Sequence, residues 1–223
     1  MLFRSGGILG YLVNGGTVSL CYNTGNISYE TGENMGGIIG MARSKVEKCY
    51  NLGNVEGSKN CIGGIVGSGY SVVDECFNGG CINGYSYVAG IVGRNYGNGN
   101  NAIIKNCYNY GGMNSTNKTY VGAITGCNYN IVQNCYTVCS RLCGGWSKDA
   151  INSYYLASAN SGREARTEEF MRTQEFVDIL NTRTDTTTDE ETGESITTTI
   201  TQDVWKQDTA NINNGFPIFK WQK

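Results

Sequence analysis

The stretch Val46-Glu47-Lys48-Cys49-Tyr50-Asn51-Leu52-Gly53-Asn54-Val55 decides the fold, because its pattern recurs along the chain. In each copy an apolar residue precedes a cysteine by three positions, and an aromatic residue follows the cysteine. The first four copies then continue with an asparagine and a glycine. The five cysteines stand 28, 27, 31 and 28 residues apart and are Cys21, Cys49, Cys76, Cys107 and Cys135.

A second motif, of the form Gly-Gly-Ile-Val-Gly, precedes every one of these cysteines. Its copies begin at Gly6, Gly36, Gly63, Ala89 and Gly122. Two phased motifs with a period of about 20–50 residues predict a repeat architecture in which successive units stack. The composition agrees, because 32 glycines and one proline in 223 residues suit short strands and tight turns better than helices. We therefore predict an all-β chain that forms a β-solenoid of about five coils, expected as a right-handed parallel β-helix.

Stacking would align equivalent residues of successive copies into columns. Two apolar columns are expected inside the solenoid: Ile8, Ile38, Ile65, Ile91 and Ile124, and then Val18, Val46, Val73, Ile104 and Val132. Each residue of the Val18 column precedes its cysteine by three positions. Side chains alternate along a regular strand, so both residues can point inward only if the strand bends between them. The aromatic residues would then form a column on the opposite face: Tyr22, Tyr50, Phe77, Tyr108 and Tyr136.

The asparagine after each aromatic residue is predicted to turn the chain and to hydrogen-bond to its equivalents in neighbouring coils. These asparagines are Asn23, Asn51, Asn78 and Asn109. The glycine two positions later is predicted to supply a backbone conformation with positive φ. These glycines are Gly25, Gly53, Gly80 and Gly111.

The ten cysteines allow free thiols, disulfides or a metal site. Stacked strands lie about 4.8 Å apart, whereas disulfides prefer Cβ separations of about 3.5–4.5 Å. The column cysteines are therefore predicted to be free, buried thiols. Disulfides remain open for the others: Cys61, Cys81, Cys127, Cys139 and Cys143. A zinc site of Cys135 with Cys127, Cys139 and Cys143 is a weaker alternative, because paired C-x₂-C spacing is lacking; no cofactor or metal is predicted.

The repeats fade towards residue 148, and the charge changes there too. Residues 1–148 contain 10 Lys/Arg and 6 Asp/Glu, a net charge of +4, whereas residues 149–223 contain 7 and 13, a net charge of −6. We predict a repeat solenoid over residues 1–157 and a C-terminal cap over residues 158–223.

The cap is predicted to contain a short helical region whose N-caps are Thr167 and Thr173. Residues 182–203, rich in threonine and acidic residues, are predicted to form a hairpin, with a disordered loop as the alternative. The closing aromatic residues, Trp205 and those of 215–221, are predicted to cover the open end of the solenoid. An uncovered last coil would expose unpaired strand edges.

The two motifs, Gly-Gly-Ile-Val-Gly and Val-x-x-Cys-Tyr-Asn-x-Gly-x-Ile, resemble the GLUG repeat of exported bacterial surface proteins. The chain ending is also similar to that family, with a Thr167-Glu168-Glu169-Phe170 helix start and a closing Gly215-Phe216-Pro217-Ile218. The resemblance covers nearly the whole chain. It implies a β-solenoid, an extracellular location and a binding or scaffold role. Some proteins with this repeat are metalloproteases that cleave immunoglobulin A, but the repeats are not their catalytic part, so no catalytic residue is carried over.

The chain contains no histidine, which excludes a His-Glu-x-x-His zinc site and Ser-His-Asp or Cys-His catalysis within it. Glycan chemistry by carboxylates alone is the enzymatic alternative, and it needs two or three carboxylates close together. Glu47 and Asp74 occupy equivalent repeat positions and would stack one coil apart. The same position elsewhere holds Ser19, Lys105 and Gln133, which favours a solvated face. No catalytic residue is predicted.

The sequence therefore predicts a non-catalytic extracellular module of a larger bacterial surface protein, acting in adhesion or ligand binding or as a rigid scaffold. Its ligand would be a host or cell-surface glycan or protein, contacted by variable loops such as 94–101 and 182–203. The parent chain would supply other domains and the export signal, since no signal peptide or membrane-spanning run is visible. Nucleic acid is not expected as a partner at a net charge of −2. A carbohydrate-processing β-helix enzyme and a pure structural spacer are the alternatives.

Overall fold

The computed structural model of the chain describes residues 4–97, 102–139, 141–145, 150–157, 164–188, 192 and 194–223. Short parallel strands stack into a β-solenoid of about five coils, which confirms the predicted fold class. Each coil adds strands to sheets that run along the solenoid, numbered here first to fifth in the order in which the chain visits them.

Three of the sheets contain the glycine-rich motif and the apolar residue that lies three positions before each cysteine. The first sheet consists of Ser5–Gly6, Met35–Gly36, Asn60–Gly63, Ser86–Ala89 and Val121–Gly122. The second consists of Leu9–Leu12, Ile39–Ala42, Val66–Gly69, Val92–Asn95, Thr125–Asn128 and Cys143–Gly145. The third consists of Thr17–Ser19, Lys45–Glu47, Val73–Asp74, Ile104–Lys105, Val132–Gln133 and Ala150–Ile151.

The other two sheets follow the cysteines. The fourth consists of Tyr22–Asn23, Tyr50–Asn51, Phe77–Asn78, Tyr108–Asn109, Tyr136–Thr137, Tyr154–Leu156 and Ala165–Arg166. The fifth consists of Ile27–Tyr29, Val55–Gly57, Ile82–Gly84 and Met113–Ser115. The last coil is shorter than the others, because only 18 residues separate the paired residues Tyr136 and Tyr154. It bypasses the fifth and first sheets within the described residues.

The apolar columns occupy the interior, with one exception in the first coil. The fully buried members include Ile38, Ile65, Ile91, Ile124, Val46, Val73, Ile104 and Val132. Ile8 is 45% exposed, since the first coil is covered on one side only. Each buried Ile or Val contributes about 1.5–3 kcal/mol, so these columns hold the coils together.

The cysteines also point inward, because the residue before each one bends the strand. These residues have φ between 49° and 54° and are Leu20, Lys48, Glu75, Asn106 and Asn134. A left-handed residue breaks the alternation of a strand, which confirms the predicted bend. Cys49, Cys76, Cys107 and Cys135 are consequently completely buried in the same cluster as the apolar columns.

The prediction of positive φ at the glycine after each asparagine is wrong at all four positions: Gly25, Gly53, Gly80 and Gly111. Glycine is required at three of them, Gly53, Gly80 and Gly111, because neighbouring coils approach closely; Gly25, in the first coil, has no such contact. A Cβ atom on Gly53 would lie 2.0 Å from the carbonyl oxygen of Gly25, and one on Gly80 would lie 2.0 Å from that of Gly53. The steric demand therefore comes from the stack and not from the turn.

The predicted asparagine ladder is confirmed. The side-chain Nδ2 of Asn23, Asn51 and Asn78 each donates a hydrogen bond of 2.8 Å to Oδ1 of the equivalent asparagine in the next coil, and the ladder ends at Asn109. Each Nδ2 also donates to the carbonyl oxygen of the glycine two residues later, at 2.7–2.8 Å. The ladder thus fixes the turn and the coil register together.

The aromatic column is also confirmed, with ring centroids 4.8–5.2 Å apart and ring planes within 7° of each other.

The prediction that the closing aromatic residues cover the open end is wrong, because they pack against the side of this column. The Phe219 ring lies 6.4 Å from Phe77 and 5.2 Å from Tyr108, in the third and fourth coils. Trp205 lies 5.5 Å from Tyr136. The outer ring faces form an apolar surface, and its burial is favourable.

Two helices, Glu168–Met171 and Gln174–Leu180, connect the last coil to this closing segment. Thr167 and Thr173 are their N-caps, as predicted. Strands Thr182–Thr188 and Ser195–Thr201 pair antiparallel, which confirms the hairpin, and Trp205–Lys206 pairs with Ile218–Phe219. No helix in the described ranges has the length and apolar character to cross a membrane.

Candidate functional site

Glu47 and Asp74, the carboxylates of the enzymatic alternative, pair in register in the third sheet. Each has a lysine partner: Lys45 Nζ lies 2.5 Å from Glu47 Oε2, and Lys105 Nζ lies 3.1 Å from Asp74 Oδ2. Asn106 Nδ2 donates a further hydrogen bond of 2.9 Å to Asp74 Oδ1. Glu47 is thus paired within its own strand and Asp74 is paired with the next coil, so both carboxylates are engaged, unlike the free pair that cleaves a glycosidic bond.

All ten cysteines lie among the described residues, and none of them forms a disulfide bond. No group of three or more Cys, Asp or Glu side chains in the described part of the chain is placed to hold a metal ion, so the zinc alternative is not assembled. Cys135 belongs to the core, whereas Cys139 Sγ lies 3.5 Å from the carbonyl oxygen of Gly111. Burial raises the pKa of Cys61 to about 11 and holds the pKa of Cys76 well above its ordinary value of 9.

A surface on the second sheet and the adjoining part of the first carries arginines stacked on tyrosines. We call it the Arg–Tyr surface and define it by Arg4, Tyr11, Arg43, Tyr70, Tyr87, Arg94, Tyr96 and Tyr129. The coil register builds it, because the residue after each of four successive second-sheet strands belongs to it: Arg43, Tyr70, Tyr96 and Tyr129. Backbone hydrogen bonds such as Tyr70 N to Ala42 O, 2.9 Å, keep these positions one coil apart.

The N-terminal half of the Arg–Tyr surface alternates cations and rings. The Arg4 guanidinium carbon lies 4.2 Å from the centroid of the Tyr11 ring. The Arg43 guanidinium carbon lies 5.9 Å from both Tyr11 and Tyr70. Tyr70, which is 45% exposed, stacks on Tyr96 with 5.5 Å between centroids.

Arg94 organises the other half of the Arg–Tyr surface. Its guanidinium carbon lies 4.2 Å from the Tyr96 centroid and 4.7 Å from the Tyr87 centroid. Its Nη2 donates a hydrogen bond of 3.4 Å to the hydroxyl of Tyr129. Burial, with the neighbouring Cys61 thiol as the next cause, raises the pKa of Tyr96 well above its ordinary value of 10. The Tyr96 phenol is therefore neutral near neutral pH, and the pKa of Arg94 is raised as well, so its guanidinium keeps its charge.

None of Arg4, Arg43 and Arg94 forms an ion pair with a carboxylate among the residues that the structure describes. Stacking on a ring orients a guanidinium without neutralising it. An open groove of about 480 Å³ beside Arg43, lined also by Lys45 and Tyr70, gives room for a ligand. Guanidinium groups bind carboxylate and sulfate groups in bidentate fashion, so this surface can hold an anionic ligand.

The predicted binding loop 94–101 contributes Arg94 and Tyr96 to the Arg–Tyr surface, while residues 98–101 lie outside the described residues. Sequence reasoning missed the rest of the surface, although a signal was present. Arg43, Tyr70, Tyr96 and Tyr129 each follow the start of their glycine-rich motif by seven residues. A column of one arginine and three tyrosines at a fixed offset could therefore have been read from the repeat alignment.

Comparisons of the chain with protein-family models, with curated protein sequences and with solved structures found no match in any of the three.

Proposed function

We propose that the chain is a non-catalytic module that binds an acidic polysaccharide at the Arg–Tyr surface and acts in adhesion. One observation carries the proposal: three guanidinium groups are held against tyrosine rings on one face, with no carboxylate partner among the described residues. Carboxylate or sulfate groups of the polysaccharide would bind the guanidinium groups. The tyrosine rings would pack against the apolar faces of the sugar rings.

The overall charge favours a polysaccharide over a nucleic acid. The chain has a net charge of −2 and a pI of about 5.3, whereas nucleic-acid-binding domains typically have a pI above about 9. Their affinity comes largely from many phosphate contacts. Three unpaired arginines suit a polymer whose charges are more widely spaced.

The resemblance of the two sequence motifs to the GLUG repeat supports an extracellular location and a larger bacterial surface protein as the parent chain. The solenoid supports adhesion mechanically, because stacked strands about 4.8 Å apart hold the binding groups at fixed spacing. The export signal and the other domains of the parent are part of this proposal.

The two alternatives make different predictions. A carbohydrate-processing enzyme would use Glu47 and Asp74, and their lysine partners at 2.5 and 3.1 Å argue against it. A pure spacer would bind nothing, and then the unpaired arginines would have no role in the isolated module.

The test is equilibrium binding of the purified chain to four probes. These are polygalacturonate, which is carboxylated; heparin, which is sulfated; neutral dextran; and single-stranded DNA. We expect binding to one or both acidic polysaccharides. We also expect the double variant Arg43→Gln/Arg94→Gln to lose about tenfold or more in affinity, since a hydrogen bond to a charged group is worth about 1.5–3 kcal/mol. The matched control is Lys59→Gln, which removes an exposed cation outside the Arg–Tyr surface.

Four results would overturn the proposal. Absence of binding to both acidic polysaccharides would favour the spacer, and tighter binding to DNA than to either would make nucleic acid the ligand. Release of new reducing ends from a polysaccharide, measured in parallel, would contradict the non-catalytic assignment. Equal loss of affinity in Lys59→Gln and in the double variant would indicate nonspecific charge attraction.

A further inference from the structure

A second surface, on the fifth sheet, has the opposite charge. It is an open groove of about 460 Å³ that crosses the strands of four coils. We call it the polar groove and define it by Ser28, Tyr29, Glu30, Glu56, Asn83 and Asn114. Among the residues that the structure describes, no lysine or arginine lines it.

The strand register places one polar side chain per coil along the groove. Ser28 pairs with Glu56, Glu56 with Asn83, and Asn83 with Asn114. The preceding residue of each strand points into the solenoid; Ile82, for example, is completely buried. Since side chains alternate along a strand, the outward row is built from the same backbone that fills the core. The four outward side chains are therefore about 4.8 Å apart, the spacing of neighbouring strands in the sheet.

Several hydrogen-bonding groups in the polar groove are unused. Asn114 Nδ2 donates a hydrogen bond of 3.0 Å to Asn83 Oδ1, which fixes the orientation of both amides. This leaves the Asn83 amide nitrogen as a donor and the Asn114 amide oxygen as an acceptor. Glu56 has no cationic partner within the described ranges. Donors and acceptors thus alternate along the groove, ready for a ligand that offers both.

The edge of the polar groove provides an aromatic ring. Tyr29 lines the groove and is 41% exposed. A half-exposed ring beside oriented polar groups suits a ligand with an apolar face and polar edges. The two carboxylates, Glu30 and Glu56, would repel a polyanion, so the acidic polysaccharide of the Arg–Tyr surface does not fit here.

We infer that the polar groove is a second binding site, and that it takes a short neutral oligosaccharide. Adjacent sugar hydroxyls can donate to the Glu56 carboxylate and the Asn114 amide oxygen while accepting from the Asn83 amide nitrogen. The Tyr29 ring packs against a sugar face. The module then carries two sites of opposite charge selectivity on different sheets, and tethering through both would raise avidity without any new contact. This inference does not rest on the acidic-polysaccharide proposal, because it uses other residues and another ligand.

The test is titration calorimetry of the intact chain with a panel of short neutral oligosaccharides built from glucose, galactose, mannose or N-acetylglucosamine. At least one should bind, and the double variant Asn83→Ala/Asn114→Ala should weaken it about tenfold or more. Glu56→Gln should also weaken it, since a neutral amide is a poorer acceptor than a carboxylate. All three substitutions are at outward positions, and thermal unfolding checks that the variants fold.

The two sites can be told apart by crossing the variants with the ligands. Arg43→Gln/Arg94→Gln should leave neutral-oligosaccharide binding unchanged, and Asn83→Ala/Asn114→Ala should leave acidic-polysaccharide binding unchanged. Failure of every neutral oligosaccharide to bind would overturn the inference, whatever the acidic probes do. Binding of the polyamine spermine in place of any sugar would also overturn it, because the groove would then be a cation site.

Discussion

Asn78 Nδ2 donates a hydrogen bond of 2.8 Å to Asn109 Oδ1, and both side chains are completely buried. Asn78 also accepts from Asn51 and donates to the Gly80 carbonyl oxygen. Asn78→Ala leaves the Asn109 and Gly80 oxygens without this donor, and an unsatisfied buried group costs about 1–3 kcal/mol. We expect the free energy of unfolding, measured by urea denaturation, to fall by about 2–4 kcal/mol.

The matched control for Asn78→Ala is Asn23→Ala at the exposed end of the ladder. Asn23 has one ladder neighbour and is only half-buried, so its loss should cost about 1 kcal/mol. Equal effects at the two positions would mean that the ladder adds nothing beyond the turn.

Gly53 tests the close approach of neighbouring coils. A Cβ atom at Gly53 would lie 2.0 Å from the Gly25 carbonyl oxygen, whereas the nearest atom to one at Gly25 is 3.7 Å away. Gly53→Ala should destabilise the chain by about 3 kcal/mol or more, and Gly25→Ala should change stability by less than about 1 kcal/mol. Thermal unfolding of both variants measures this. Similar melting temperatures would show that the coils adjust freely.

Most of the solenoid could be predicted because stacking repeats each constraint in every coil. The Ile8 and Val18 columns, the Asn23 ladder and the Tyr22 ring column are visible as repeated residue types. The reason for Gly53 could not be found in this way, because a glycine needed for positive φ and one needed for close approach look identical in a sequence. The left-handed residue was equally hidden, since Leu20, Lys48 and Glu75 are not residues that typically adopt positive φ.

Phe219 tests the lateral packing of the closing segment. Its ring is completely buried and lies 4.5 Å from Trp205 and 5.2 Å from Tyr108. Phe219→Ala should cost about 3–5 kcal/mol and should release residues 204–223 to limited proteolysis before the solenoid unfolds. Ile212→Ala is the control, because Ile212 is 45% exposed. Simultaneous cleavage throughout the chain would show that the segment and the solenoid unfold as one unit.

The candidate binding surfaces were harder to predict than the fold. Arg43 and Tyr70 lie on different coils, and their proximity follows from a register that is fixed only once the strands are assigned. The polar groove depends on the fifth-sheet register, which sets Glu56 beside Asn83 and Asn83 beside Asn114. The placement of the closing segment on the ring column could not be derived either, since both the column and the open end offered apolar surface.

The buried thiols should make stability fall above about pH 9. Burial raises the pKa of Cys61 to about 11 from an ordinary value of 9, so the native chain keeps its proton in a range where the unfolded chain loses it. The contribution of the Cys61 thiol to the free energy of unfolding is complete below pH 9. It is lost as the pH rises towards 11, because the unfolded state then binds fewer protons than the native state. The free energy of unfolding is measured by urea denaturation under reducing conditions. Between pH 9 and pH 11 it should fall in both proteins, and the fall should be smaller in Cys61→Asn by up to about 2 kcal/mol. Asparagine is the matched replacement, since Asn34 holds the equivalent position one coil earlier with φ of 53°. Parallel pH profiles for the two proteins would show that Cys61 ionises in the native chain as it does in the unfolded one.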